Sequence, residues 1–175
     1  MSICLSNRIS TSKSNNMNKF LLCNDAGEDH GKSAVLLCLI RLLEAEGYEK
    51  LDAFPHTEEE AKEYKLDRTV VFSFNGRQVV IISQGDPHTP AYKDIMTYLN
   101  KGNEPVLIIC AARPETEKDS PFAEAKEIAR EYGYTFVRYN NLYCDEKEVD
   151  TATRDQLNRI SAEGLKNAIY SLLNL

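Results

Sequence analysis

Short apolar runs alternate with polar stretches along most of this chain. Five of the runs are continuous and rich in β-branched or aromatic residues, which is typical of buried strands. The predicted strands, numbered one to five along the chain, are Phe20–Cys23, Thr69–Phe74, Arg77–Ser83, Val106–Cys110 and Tyr134–Tyr139. Only Asn75-Gly76 separates strands two and three. Because both residues accept positive φ, the pair predicts an antiparallel hairpin.

Amphipathic stretches fill the intervals between the strands. Their apolar residues recur at every third or fourth position, a spacing that places them on one face of a helix. The predicted helices are Ser33–Glu46, Pro90–Tyr98, Pro121–Tyr132 and Thr151–Leu173. Strands that alternate with helices predict an α/β domain with helices on both faces of a mostly parallel sheet.

The stretch from Tyr48 to Arg68 has no clear period. Its segment Thr57-Glu58-Glu59-Glu60 resembles the start of a helix, because acidic residues complement the positive end of the helix dipole. We interpret this charge as a solvated face, and the sequence predicts no strand here.

A chain of 175 residues fits one domain. Residues 1–18 are rich in Ser, Asn and Thr and predict a disordered N-terminal tail, so residues 19–175 form the predicted single domain. Since apolar patterning begins abruptly after Asn18, Met17 is an alternative start to Met1.

Charge and cysteine content narrow the classes of partner and compartment. The net charge is −6, and residues 1–19 carry three basic and no acidic residues, so removing those three charges leaves −9 for the rest. An acidic body argues against broad nucleic-acid binding. The five cysteines are scattered, most of them in apolar runs, which is typical of small buried hydrophobes in a reducing compartment. No apolar stretch approaches the roughly 18 residues that span a bilayer, so we expect a cytoplasmic protein without a membrane partner.

The segment between strand one and the first helix combines residues that suit a phosphate group. It reads Ala26-Gly27-Glu28-Asp29-His30-Gly31-Lys32-Ser33. A chain that leaves a strand and enters a helix turns its backbone N–H groups inward, and they form an anion-binding nest at the positive helix end. Gly31 lets the backbone approach an oxygen, Lys32 supplies a point charge, and the Ser33 hydroxyl can ligate Mg²⁺.

This segment resembles the phosphate-binding loop of the P-loop NTPases, in the form that accepts Ala at the first position. The resemblance implies a three-layer fold with five strands in the order 2-3-1-4-5, of which strand two is antiparallel. It implies that a nucleoside triphosphate is bound through Gly27, Glu28, Asp29, His30, Gly31, Lys32, Ser33 and Ala34. We expect the carboxylates of Glu28 and Asp29 to face solvent or a second cation, since they would repel the ligand from inside the nest.

The same family places an acid at the end of a neighbouring strand, where it holds Mg²⁺ through water. Asp86 follows strand three, which lies beside strand one in the implied order. We therefore predict Ser33 and Asp86 as the metal site, and Lys32 and Asp86 as the catalytic residues. The alternative for Asp86-Pro87 is a simple turn.

The string from Asp29 to Ser33 is similar to the phosphate loop of translation-factor GTPases, and the antiparallel strand is similar to Ras-like GTPases. Those families read guanine with Asn-Lys-x-Asp after the penultimate strand, where this chain has Ala111-Ala112-Arg113-Pro114-Glu115. Their Asp-x-x-Gly is likewise replaced by Gly85-Asp86-Pro87-His88. ATP is therefore favoured over GTP as the ligand.

The resemblance implies slow, Mg²⁺-dependent hydrolysis of the β–γ bond, and two alternatives stay open. A small P-loop kinase would phosphorylate a nucleotide or a metabolite, with Arg113 neutralising the transferring phosphoryl group. Arg113 is otherwise a surface residue packed on a tyrosine. A regulatory module would bind nucleotide without hydrolysing it. Because no water-activating residue can be assigned, a protein partner or a homo-oligomer is a further expectation.

Overall fold

The structure is a computed structural model that describes residues 18–25, 31–54, 68–84, 95–96, 98–116, 121–142 and 149–175. The strands within these ranges are β1 (Phe20–Asp25), β2 (Glu49–Phe54), β3 (Thr69–Phe74), β4 (Arg77–Ile82), β5 (Leu107–Ala112) and β6 (Thr135–Tyr139). The long helices are α1 (Lys32–Ala45), α2 (Pro121–Glu131) and α3 (Thr151–Leu173). Residues 95–96 and 98–100 are also helical. The predicted tail, residues 1–18, lies outside the described residues except for Asn18.

The strands form one mixed sheet in the order β2-β3-β4-β5-β1-β6. Strands β4, β5, β1 and β6 run parallel to one another, whereas β3 is antiparallel to both β2 and β4. The predicted antiparallel hairpin is confirmed, since Asn75 and Gly76 have φ of 51° and 76° in the turn between β3 and β4. Two central residues with positive φ match the right-handed twist of the two strands.

The predicted strands one to five correspond to β1, β3, β4, β5 and β6. Their predicted order, 2-3-1-4-5, is wrong, because β5 lies between β4 and β1. Ile109 of β5 is in register with Ile81 of β4 on one side and with Leu22 of β1 on the other. All six residues of β5 are apolar and buried. A strand without any polar residue is stable only where both faces and both edges are covered, and this favours the centre of the sheet.

The sheet has six strands rather than five, because β2 was not predicted. Its sequence is Glu-Lys-Leu-Asp-Ala-Phe, and four of the six residues are exposed. An edge strand that faces solvent buries few side chains, so it does not need the apolar alternation by which strands are recognised. Strand β2 therefore falls in the stretch whose pattern gives no clear prediction.

Helices cover both faces of the sheet, as predicted. Helices α1 and α3 pack on one face, and their buried residues share one apolar cluster with Leu22, Phe72 and Ile109. Helix α2 and the helical residues around Ile95 cover the other face, in a second cluster that includes Leu21 and Cys110. Alternate residues of each strand serve the two clusters. The result is a three-layer α/β architecture.

Two of the three described cysteines are buried, as the sequence predicts, and Cys38 is only partly buried. Cys23, Cys38 and Cys110 are free thiols, and the first and last of them are fully buried in the sheet. The pKa of Cys23 is raised far above that of a free thiol. The hydrogen bond with Cys110 is the largest cause, and burial is the second. The Cys23 thiol therefore stays protonated at neutral pH. Cys4 and Cys144 lie outside the described residues.

No helix in the described part of the chain is long and apolar enough to cross a membrane.

The start of α3 gives the fold a pH dependence in acid. The carboxylate of Asp150 caps this helix by accepting a 2.8 Å hydrogen bond from the backbone N–H of Thr153. Hydrogen bonds from the backbone and the side chain of Thr153 lower the pKa of Asp150. A lowered pKa in the folded state means that the charged cap stabilises the protein above the ordinary Asp pKa of about 3.9 and is lost as the pH falls below it. We expect Asp150→Ala to lower the thermal midpoint at pH 7. The gap between the variant and the wild type should close between about pH 4 and pH 2, as followed by circular dichroism.

Candidate functional site

The carboxyl end of β1 carries two buried polar residues. Asn24 has no exposed surface, and Asp25 is 5% exposed. The predicted strand one ends at Cys23, but β1 continues through both residues and ends at Asp25. They pair in register with Ala111 and Ala112, the last two residues of β5. Burial of polar groups at the centre of a sheet requires partners, so this end of β1 is unlike the rest of the core.

Asp25 is held by an arginine from the neighbouring strand. Both Nε and Nη2 of Arg138 on β6 donate to Oδ2 of Asp25, and the Nε bond is 2.9 Å long. The hydrogen bond to Asp25 raises the pKa of Arg138. The guanidinium carbon also lies 4.6 Å from the centre of the Phe122 ring. Although Oδ2 is satisfied, Oδ1 of the same carboxylate is buried and has no hydrogen-bond partner.

Asn24 points to the opposite face of the sheet. Along a strand, alternate residues share a face, so Asn24 lies on the same side as Leu22, which packs with α1 and α3. Neither Oδ1 nor Nδ2 of Asn24 has a hydrogen-bond partner. The large majority of buried side-chain polar atoms in native proteins have one. The site therefore contains an unsatisfied amide on the side where α1 begins.

Gly31 forms the N-cap of α1 in a left-handed conformation, with φ of 71° and ψ of 13°. A Cβ at this position would lie 2.8 Å from Oδ1 of Asn158 on α3. The left-handed backbone conformation therefore favours glycine here, and a Cβ would also force the Asn158 side chain to move. The cap has no side-chain hydrogen bond, and the first turn of α1 contains no acidic residue. These are the conditions under which an anion can bind at a helix start.

Lys32 and Ser33 follow in the first turn of α1, and both are drawn inward. Lys32 is 8% exposed, which is unusual for a lysine unless it is paired, and it does make contacts within the structure. The Ser33 hydroxyl donates a 2.7 Å hydrogen bond to the carbonyl oxygen of Ser83. Of the predicted phosphate-binding residues, Gly31, Lys32, Ser33 and Ala34 are described, and α1 brings them together.

The bond from Ser33 brings the end of β4 next to the start of α1. Ser83 directly follows β4 and is fully buried, and its own hydroxyl accepts a 2.8 Å bond from the backbone N–H of Arg68. Asp86 was predicted to reach the site because its strand would lie beside β1. That reason is wrong, since β5 separates β4 from β1. The end of β4 and the start of α1 meet instead because α1 crosses the sheet on the face where it reaches Ser83.

Five of the predicted site residues lie outside the described residues. They are Gly27, Glu28, Asp29, His30 and Asp86. Their proposed roles, and the expected orientation of the two loop carboxylates, stay predictions.

The described residues can contribute to a magnesium site but do not form one alone. In the described ranges, no group of three or more His, Cys, Asp or Glu residues could hold a metal ion. Magnesium in nucleotide sites is usually held by one or two protein ligands together with phosphate oxygens and water. Because the Ser33 hydroxyl donates a hydrogen bond to the carbonyl oxygen of Ser83, the lone pairs on Ser33 Oγ stay available to a cation. Ser33 therefore fits the role that the sequence predicts for it.

Sequence reasoning missed four residues around this site: Asn24, Asp25, Arg138 and Asn158. The signal for the first two was present, since two polar residues directly follow the apolar run Phe20–Cys23. They were assigned to the loop because Gly27 follows closely. Arg138 stands inside a predicted strand and Asn158 inside a predicted helix, and nothing in the local pattern shows what either one faces.

One cavity in the described part of the chain borders α3. It has a volume of about 640 Å³, and its described lining consists of Asp155, Gln156, Arg159, Ile160 and Glu163. None of these is a predicted site residue. This cavity therefore adds no support to the phosphate site.

Comparison of the chain with protein-family models, with curated proteins and with solved structures gives no match. The resemblance to the P-loop NTPases thus rests on the residues of the loop and on their surroundings.

Proposed function

We propose that this protein binds a nucleoside triphosphate with Mg²⁺ at residues 26–34 and hydrolyses its β–γ bond. The observation that carries the proposal is a buried lysine, Lys32, directly after the left-handed Gly31 at the start of α1. Both residues stand at the carboxyl edge of the sheet, next to the buried end of β1. In open α/β sheets, ligands bind at this edge. The missing Asn-Lys-x-Asp motif favours ATP over GTP.

The residues have separate roles in the proposed reaction. The N–H groups at the start of α1 and the ammonium of Lys32 stabilise negative charge on the phosphate groups as the terminal bond breaks. The Ser33 oxygen would ligate Mg²⁺, while its hydroxyl proton remains on Oγ and is donated in a hydrogen bond to the Ser83 carbonyl oxygen. The cation supplies charge neutralisation for the phosphates when it is bound. Asp86 is proposed to hold Mg²⁺ through water.

Transfer to a second substrate is the alternative that one further observation favours. Arg113 directly follows β5, and β5 ends in register with Asp25. This position puts a cationic side chain near the carboxyl edge at which the phosphates are proposed to bind. Arginine in such a place can neutralise a transferring phosphoryl group. A non-hydrolysing regulatory module uses the same site without either reaction.

Titration of nucleotides against thermal unfolding tests the binding proposal. A ligand at about 100 times its dissociation constant adds roughly 2.7 kcal/mol to the stability of the native state. For a domain of this size, we expect Mg·ATP to raise the unfolding midpoint by about 5–10 °C, and more than Mg·GTP does. A midpoint that no nucleotide moves would contradict the proposal.

Phosphate release separates hydrolysis from its alternatives. Release from Mg·ATP alone supports hydrolysis, whereas release that requires an added metabolite mixture and yields a phosphorylated product supports a kinase. Binding without either outcome supports the regulatory module.

A further inference from the structure

The amide of Asn24 is buried and lacks hydrogen-bond partners at both of its polar atoms. Leaving a buried donor and a buried acceptor unsatisfied costs free energy that an apolar side chain of similar size would not cost. Oδ2 of Asp25 has such a partner in Arg138, whereas neither polar atom of the Asn24 side chain has one. An unsatisfied polar group in a native fold calls for an explanation, and an absent ligand is one.

The position of Asn24 agrees with a ligand at the start of α1. Its neighbours in register on the same face are Ala111 of β5 and Tyr139 of β6. Ala111 has a small side chain, and the Tyr139 hydroxyl is committed to the carbonyl oxygen of Ser161 on α3. Neither neighbour satisfies the amide. The face is the one on which α1 and α3 pack, and there Gly31 and Asn158 approach each other.

We propose that Asn24 is a ligand-binding residue of this site, with Nδ2 donating to a phosphate oxygen and Oδ1 accepting from a water molecule bound to that group. The inference rests on the proposed function. An amide has both a donor and an acceptor, and a hydrated phosphate group offers the matching pair. Asn24 thus recognises the phosphate rather than the base.

If Asn24 binds the ligand, replacing it by leucine should affect the stability of the unliganded protein and its affinity for the ligand in different ways. Asn24→Leu removes the two unsatisfied polar atoms and keeps the branched shape and the number of side-chain heavy atoms, so the unliganded protein should unfold at the same temperature or higher. The same change removes a hydrogen bond to a charged ligand, and we expect the dissociation constants for Mg·ATP and for inorganic tripolyphosphate to rise about 10- to 100-fold. Asn24→Asp puts a negative charge in the same place and should weaken binding of both ligands further.

Cys23→Ala is the matched control, because this neighbouring residue faces the other side of β1. It removes buried volume, so it should lower the unfolding temperature and leave both dissociation constants unchanged. The measurements are calorimetric titrations of Mg·ATP and tripolyphosphate, together with thermal unfolding of each unliganded variant.

The outcomes separate this inference from the proposed function. If the wild type binds and Asn24→Leu binds within twofold of it, the inference is overturned and the proposed function stands. A loss of stability in Asn24→Leu with no loss of affinity in its folded fraction overturns the inference as well. If the wild type binds neither ligand, both proposals fail. Should Asn24→Leu not fold, Asn24→Ala decides: a tenfold or larger loss of affinity supports the inference, and affinity within twofold of the wild type overturns it.

Discussion

Lys32→Met is expected to reduce phosphate release from Mg·ATP by at least about 100-fold. Loss of one group that stabilises developing charge in an active site typically costs about 10²–10³ in rate. Lys32 is buried at the start of α1, so it carries its charge where water screens it little. Methionine fills a similar volume without the charge, and the change therefore tests the ammonium rather than the packing. Colorimetric detection of phosphate under saturating Mg·ATP gives the rate.

The control for this variant is a lysine that lies in solvent. Lys126 on α2 has a side chain that is 60% exposed, and Lys126→Met should leave phosphate release unchanged. Thermal unfolding of Lys32→Met without ligand shows whether the variant is folded. A folded Lys32→Met protein that releases phosphate at the wild-type rate is incompatible with the proposed site.

Leu36→Ala is expected to have the largest effect on stability among these variants. Leu36 lies one turn after Lys32 on α1, is fully buried, and belongs to the cluster between the sheet, α1 and α3. Truncation of a buried leucine to alanine costs about 2–5 kcal/mol, because the transfer free energy of the lost atoms is added to that of the cavity. For a domain of this size, the unfolding midpoint should fall by about 10 °C. Urea unfolding gives the free energy directly.

The same helix can thus be altered in two separable ways. Leu36 belongs to the apolar core cluster, so Leu36→Ala should leave the dissociation constant of Mg·ATP for the folded protein unchanged, whereas Lys32→Met should raise it. Leu36→Met keeps most of the volume and should cost less than about 1.5 kcal/mol. If Leu36→Ala unfolded at the wild-type temperature, the packing of α1 described above would be wrong.

Much of the fold follows from local pattern. The apolar runs of β1, β3, β4, β5 and β6 were recognised as strands, and α3 begins and ends where its periodicity predicts. The hairpin at Asn75-Gly76 depends on two adjacent residues, and short-range turn chemistry suffices to predict it. Strand β2 was missed because an exposed edge strand has no apolar face to recognise.

The order of the strands could not be derived in the same way. Strand order depends on which apolar surfaces meet over long distances in the chain, and the order 2-3-1-4-5 came from the family resemblance instead. The insertion of β5 between β4 and β1 reflects the complete burial of Leu107–Ala112, a signal that the sequence did contain. Asn24 and Asp25 were misplaced for a related reason, since polar residues before a glycine usually indicate a loop.

Strand β5, which lies between β4 and β1, ends in two residues with small side chains. Adjacent strands lie about 4.8 Å apart, so β1 and β4, which flank β5, are about 10 Å from each other, and the strand between them ends in the small side chains of Ala111 and Ala112. A molecule that contacts the ends of both β1 and β4 must be long enough to span this interval. A single inorganic phosphate ion is shorter than this interval, so one such ion could not contact the ends of β1 and β4 at the same time.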